Sequence, residues 1–245
     1  MIISEWREKY VDILKEFKYD EKKDNESAVI LNSILKKSNI NKKIISLVKG
    51  KTVFVIGSGP SLSTAIPKLK NFKKSIKIAA DSSVKPLVEN GIMPDIVVTD
   101  LDGDSNILEK IAQTKSIFVV HAHGDNIEKL GFTKKLKNFI GTTQSEPFSK
   151  LQNFGGFTDG DRGVFLADHF KAKTIILFGM DFGNRIGKFS DTKKSERKIK
   201  LMKLKRAELL LEWLSTITKS ELFTTSKSIK GFKKIAYKDL DIIIT

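Results

Sequence analysis

The sequence predicts an α/β fold, a doubly wound and mostly parallel sheet, and three observations predict it. Short β-branched apolar runs recur through the middle of the chain, each stops abruptly in Gly, Ser, His or Asp, and segments of helical periodicity separate them. A strand that is apolar on both faces must be covered on both, which alternating helices accomplish. Open parallel sheets collect ligands beyond the carboxyl ends of their strands, so the polar residues that end the runs are the first place to look for chemistry.

Taken in order, Ile3, Trp6, Tyr10, Ile13, Leu14 and Phe17 recur at helical spacing, and further helices are predicted over 26–37 and 42–48. Residues 1–50 read as a helical cap and residues 51–245 as an α/β catalytic unit with a long C-terminal helix. The first strand, Thr52–Ile56, runs into Gly57-Ser58-Gly59-Pro60-Ser61, which opens a helix. Glycines there let backbone N–H groups approach an anion at the helix N-terminus. Leu62 stands at the third glycine position of a dinucleotide fingerprint, and no Gly-Lys-Ser/Thr follows, so neither that motif nor a P-loop is present.

The next strands are predicted over 76–80, ending at Asp81-Ser82-Ser83; 96–99, ending in Asp100-Leu-Asp102-Gly-Asp104; and 117–120, ending in His121-Ala-His123-Gly-Asp125. A fifth covers 139–143 and precedes Gln144, a sixth covers 174–178, and the tail adds a short strand near 222–225. Helices are expected over 84–89, 105–112 and 163–170, with a Gly-rich loop at 153–162 feeding the last of these. A long helix over 195–218 offers Leu201, Leu204, Leu209, Leu211, Trp213 and Leu214 as apolar surface.

In an extended chain Asp100, Asp102 and Asp104 project to one side. Three like charges so close either sit at a wet strand end or share a hard cation such as Mg²⁺, which prefers oxygen ligands. An acidic turn capping the next helix is the plainer alternative. Asp100-Leu-Asp102-Gly103 also fits the opening motif of haloacid-dehalogenase-type phosphatases. There, however, the motif follows the first core strand and Thr or Ser follows the glycine, whereas here two strands precede it and Asp104 follows. His121 and His123 face the same way, and with no cysteine and no third ligand nearby they suit hydrogen bonds to phosphate or a neighbouring carboxylate better than zinc. Asp125, just beyond them, is placed to join a metal site.

The chain has 245 residues, 40% hydrophobic content and a formal net charge of +15. Much of the excess lies in the lysine-rich stretch 193–206, without zinc-finger spacing or basic residues interleaved with aromatics. It reads as a solvated helix face or a surface attracting polyanions such as ATP, and not as a nucleic-acid site. No apolar run approaches bilayer length, the start Met1-Ile-Ile-Ser-Glu-Trp-Arg-Glu lacks a signal-peptide layout, and cysteine is absent. The expectation is a cytoplasmic protein with no membrane partner.

Gly57–Leu62, Ala80–Ser83, Pro94–Asp104, His121–Asp125 and Gly155–Arg162 together resemble the archaeal 6-hydroxymethyl-7,8-dihydropterin pyrophosphokinases. The wider group includes motility-associated glycosyltransferases and, more distantly, thiamin pyrophosphokinase. The resemblance covers roughly Lys51 to Gly183 and implies transfer of diphosphate from ATP to a reduced pterin, with Mg²⁺ as cofactor. It implies Asp100 and Asp102 as the main metal ligands, completed by Asp81 and Asp125, with phosphates near Gly57–Ser61 and Arg162 neutralising transition-state charge. For the pterin, strand-end and loop positions suggest Thr143, Gln144, Asn153, Phe157 and Asp161. Ser82 and Ser83 stand where thiamin enzymes have glycines, which argues against thiamin. The alternatives are a nucleotide-sugar-dependent glycosyltransferase, the phosphatase, and a non-catalytic nucleotide-binding module; a homodimer is compatible with all of them.

Overall fold

The structure is a computed structural model that describes residues 5–190 and 192–244. Eight strands form one sheet: β1 Thr52–Ile56, β2 Ile76–Ala80, β3 Ile96–Thr99, β4 Ile117–Ala122, β5 Phe139–Thr143, β6 Thr174–Phe178, β7 Glu221–Thr224 and β8 Lys233–Lys234. Their order is β5-β4-β3-β2-β1-β6-β7-β8, and every pairing is parallel. The chain therefore builds outward from β1 to β5 and returns to the other side of β1 with β6. The topological switch point falls between β1 and β6.

Nine helices surround the sheet among the described residues: α1 Trp6–Phe17, α2 Glu21–Ile34, α3 Ile40–Val48, α4 Leu62–Leu69, α5 Asp81–Glu89, α6 Ser105–Ala112, α7 Asp159–His169, α8 Arg197–Ile217 and α9 Leu240–Ile243. Ile3, expected in the first helix, lies outside the described residues. The two-residue period of the strands sorts the core into two layers. Val53, Val55, Ile78, Val98 and Val119 pack under α1, α3, α7 and α8, while Phe54, Ile56, Ala79, Val97 and Val120 pack under α2, α4, α5 and α6. The first fifty residues thus contribute helices to both faces. In α8 the buried side is Ala207, Leu210, Leu211 and Leu214; Leu209, expected in the apolar surface, faces solvent at 42% exposure.

Two features aim the strand ends. Helix α7 crosses β1, β2 and β3, and it can lie close because Gly163 faces the sheet: a Cβ there would stand 3.1 Å from Val55 Cγ1 and 3.2 Å from Ile78 Cγ2. That helix begins at Asp159, four residues before the expected start, which carries its first turn over the sheet's carboxyl edge. On the other flank α1 and α2 are tied to the chain after β5 by a buried carboxylate. Asp24 Oδ2 accepts from Tyr10 Oη at 2.6 Å and Gln144 Nε2 at 2.7 Å, and Asp24 Oδ1 accepts from the Gly124 amide at 2.8 Å. Tyr10→Phe removes one of these donors without opening a cavity. We expect it to destabilise the fold by about 1–3 kcal/mol, the range for a hydrogen bond to a charged acceptor. An unchanged urea midpoint would show that this tie carries no weight.

Candidate active site

Strand β3 ends at Thr99, and the next residues decide the site. Leu101 sits at φ 67°, a left-handed conformation that is strained for a branched side chain, held by its amide donating to Thr99 Oγ1 at 2.7 Å. This twist breaks the alternation that an extended chain would keep. Asp100 turns inward across the sheet edge, while Asp102 turns outward, 58% exposed and paired with Lys129. Asp104 caps α6, its Oδ1 accepting from the Asn106 and Ile107 amides at 3.1 and 3.2 Å.

Facing Asp100 are Asp81, the first residue of α5, and Asp159, the first residue of α7. One carboxylate oxygen from each of the three lies within 4.8 Å of the other two. Asp81 Oδ2 accepts from Thr99 Oγ1 and, at 3.1 Å, from the Gly103 amide. Gly103 is required here, since a Cβ would stand 1.8 Å from Asp81 Oδ1. That oxygen and Asp159 Oδ1 are buried and have no hydrogen-bond partner. Buried polar atoms are rarely left so, and acceptor-only oxygens converging on one point suit a hard cation.

The charges behave accordingly. Burial pushes the Asp81 carboxyl up to about 7, with the Asp100 charge adding to it against the Thr99 and Gly103 hydrogen bonds. Burial, then the charges of Asp100 and Asp81, drives Asp159 well above the usual carboxylate range. Burial would raise Asp100 too, but His123 and Arg162 outweigh it and hold that carboxyl down at about 2. His123 Nδ1 accepts from the Asp125 amide at 3.3 Å, so Nε2 carries the hydrogen that points to Asp100 Oδ2, 3.5 Å away. The histidine orients Asp100 as an outer partner orients a metal ligand.

An open cleft lies beside the triad at the switch point between β1 and β6. Gly57, Ser58, Gly59, Ser82, Asp159 and Gly179 line it together with Arg185, Gly187 and Lys200. The Gly57 turn forms part of its wall, and its amides other than that of Ser58 are engaged within the protein. Gly57 N donates to Phe178 O, Gly59 N to Gly179 O, and Ser61 N and Oγ to Asp181 Oδ2, both at 2.8 Å, while Pro60 has no N–H. Arg185 and Lys200 bring positive charge to the same cleft.

A family model described as 6-hydroxymethylpterin diphosphokinase MptE-like matches residues 26–187. The chain belongs to that family. Similar proteins named 6-hydroxymethyl-7,8-dihydropterin pyrophosphokinase occur in Methanocaldococcus jannaschii, 45% identical with 87% of this chain and 96% of the relative covered, and in Pyrococcus furiosus, 43% identical with 91% and 98% covered. A third, from Methanothermobacter thermautotrophicus, is 37% identical over 87% of this chain and 95% of its own. Among solved structures, the MAf glycosyltransferase of Magnetospirillum magneticum AMB-1 has a TM-score of 0.54 at 14% identity, covering 86% of this chain and 39% of that longer one. That likeness is one of fold.

Within this family member the expected site residues separate into groups. Asp81 and Asp100 meet, joined by Asp159, which the sequence pattern places in the Gly-rich loop over 153–162. Asp102 and Asp125 do not meet them: Leu101 turns the first away, and the second is 69% exposed at the start of a 3-10 segment over 124–135. Arg162 is buried near the triad, its Nη1 3.8 Å from Asp159 Oδ1 and its Nη2 donating to Gln144 Oε1 at 3.1 Å. Most of the residues suggested for a pterin are engaged internally. Gln144 is held between Asp24 and Arg162; Asn153 Nδ2 donates to Gln144 O and Ser145 O at 3.0 and 2.8 Å; Asp161 accepts from Phe157 N and Thr158 N, both at 2.7 Å, and caps α7. Phe157 packs in the core against Phe17. Thr143 lines a second, smaller cavity with His121 and Arg162.

The raised Asp81 pKa gives a signed prediction. With a folded value near 7 against about 3.8 unfolded, the aspartate favours the folded state below pH 3.8 and loses that advantage as pH rises through 7. In chelator, Asp81→Asn is therefore expected to gain about 2–3 kcal/mol on wild type between pH 5 and pH 8. Parallel stability curves for the two proteins in urea melts would contradict the burial account.

Proposed function

We propose that the chain is a divalent-cation-dependent 6-hydroxymethyl-7,8-dihydropterin pyrophosphokinase that uses ATP and acts in the cytoplasm. The observation that carries the reading is the buried triad Asp81, Asp100 and Asp159, with two unpartnered oxygens, set beside a cleft bearing Arg185 and Lys200. Family membership, and relatives that carry this name over nearly their whole lengths, support it.

In the proposed reaction the pterin hydroxymethyl oxygen bonds to the β-phosphorus of ATP. The bond from that phosphorus to the oxygen shared with the α-phosphorus breaks, AMP leaves and the hydroxyl proton is lost. Such transfers need in-line positioning and charge neutralisation more than covalent help from the protein. Asp81, Asp100 and Asp159 would hold Mg²⁺, which supplies charge neutralisation at the phosphoryl oxygens. Lys200 and Arg185 receive the triphosphate in the cleft, and Arg162, kept in place by Gln144, adds positive charge behind Asp159. His123 keeps Asp100 ionised and oriented.

No observation favours the rivals. Asp102 faces Lys129 rather than Asp100, which removes the phosphatase's acid from its nucleophile, and the glycosyltransferase likeness concerns fold alone.

The deciding assay combines the protein, Mg²⁺, ATP and 6-hydroxymethyl-7,8-dihydropterin. Pterin-dependent AMP is the expected product; ADP would indicate an ordinary kinase, and no pterin-dependent product would sink the reading. Lys200→Ala is expected to raise the KM for ATP by about tenfold, the scale of one charged contact, while leaving the pterin KM unchanged. An unchanged ATP KM would remove Lys200 from the phosphate site.

A further inference from the structure

The ends of β3 and β4 are joined by a side chain outside the triad. Asn126 lies in the 3-10 segment over 124–135 and is fully buried. Its Nδ2 donates to Asp100 O at 2.9 Å and to His121 O at 2.6 Å, while its Oδ1 accepts from the His123 amide at 3.1 Å and from Ser27 Oγ at 3.2 Å. All four hydrogen bonds of the side-chain amide are thereby made. The amide can face only one way, because two carbonyls flank the nitrogen and a main-chain N–H flanks the oxygen.

The atoms it holds belong to the residues that set the site. Asp100 O comes from the residue whose carboxylate meets Asp81 and Asp159, immediately before the left-handed Leu101. His123 N comes from the residue whose Nε2 lies 3.5 Å from Asp100 Oδ2. One amide therefore fixes the main chain on both sides of the His123–Asp100 contact, and Ser27 fixes that amide from α2. The 3-10 segment sits close to α2 because Gly124 faces it: a Cβ there would stand 2.7 Å from Lys23 Cβ. Asp24, one turn before Ser27, holds Gln144 and through it Arg162. Helix α2 thus backs the triad by two routes that share no side chain.

We propose that Asn126 is a positioning residue for the divalent cation, setting the His123–Asp100 contact by holding the main chain of both partners. Outer partners of a metal ligand act in this way, through the orientation of the ligand. The proposal rests on the cation site at the triad and not on the identity of the substrate that the site serves. A role in folding alone would lower stability and leave the cation affinity of the folded protein unchanged.

Mn²⁺ binding, followed by the relaxation of water protons on the bound ion, separates the two roles, with urea melts in chelator recording stability. Asn126→Ala and His123→Ala should each weaken Mn²⁺ binding by about tenfold, the scale for an outer partner of a ligand. The double variant should also lose about tenfold, and not the roughly hundredfold of independent effects. Wild-type Mn²⁺ affinity in a folded but less stable Asn126→Ala, or independent losses in the double variant, overturns the proposal. If Asn126→Ala does not fold, Ser27→Ala, which removes one donor to Oδ1, should weaken Mn²⁺ by about threefold, and wild-type affinity there overturns it. A wild type that binds no Mn²⁺ overturns it together with the triad. Binding that depends on Asn126 in a protein forming no pterin-dependent AMP keeps it and sinks the pyrophosphokinase reading.

Discussion

Three carboxylates brought together at the edge of a parallel sheet are the constraint on which the rest of the structure depends. Asp81, Asp100 and Asp159 come from three separate elements, and without a cation only Asp100 is held firmly ionised. The arrangement repels itself and is partly desolvated, so the surrounding structure must hold it. Thr99 and Gly103 restrain Asp81, His123 restrains Asp100, and the close seating of α7 on β1 and β2 fixes Asp159. Leu101 adds a strained backbone, of the order of 1–3 kcal/mol, at the residue that points Asp100 inward. A divalent cation would convert this repulsion into attraction and release protons as it binds.

The helical N-terminus belongs to the same support. Asp24 orients the Gln144 amide, whose oxygen holds Arg162, and Trp6 Nε1 donates to Gln144 O at 2.9 Å. A run of contacts thus leads from α1 and α2 to the guanidinium beside Asp159. The long lysine-rich α8 contributes Lys200 to the cleft wall, lays Lys203 over Tyr19 and Phe157, pairs Arg206 with Glu16 and exposes Arg197, Lys198 and Lys205, so part of the basic excess has a local use in attracting a polyanion.

Much of this was legible in the sequence. The strands were legible because burial on both faces demands unbroken apolar runs, and six of the eight begin where those runs begin. The last, two lysines paired beside Phe223 and Thr224, has no apolar signature. Asp81 and Asp100 were legible as carboxylates ending adjacent strands. Asp159 was not, because Gly155, Gly156 and Thr158 read as loop; the local capping box of Thr158 and Asp161, which starts α7, was the signal that could have placed it. Asp102 lies apart from the triad because alternation holds only while the chain stays extended, and Leu101 ends it. The polar residues suggested for substrate were buried for internal reasons that need the partner across the fold, as with Gln144 and Asp24.

The central claim is that the cation belongs to Asp81, Asp100 and Asp159 and not to Asp102 or Asp125. Binding of Mn²⁺, followed by the loss of the free-ion electron paramagnetic resonance signal, tests it most directly. Asp159→Asn should weaken binding by at least about tenfold, as expected for loss of one charged ligand, while Asp102→Asn and Asp125→Asn leave it near wild type. Strong loss in Asp102→Asn or Asp125→Asn with Asp159→Asn unaffected would contradict the account.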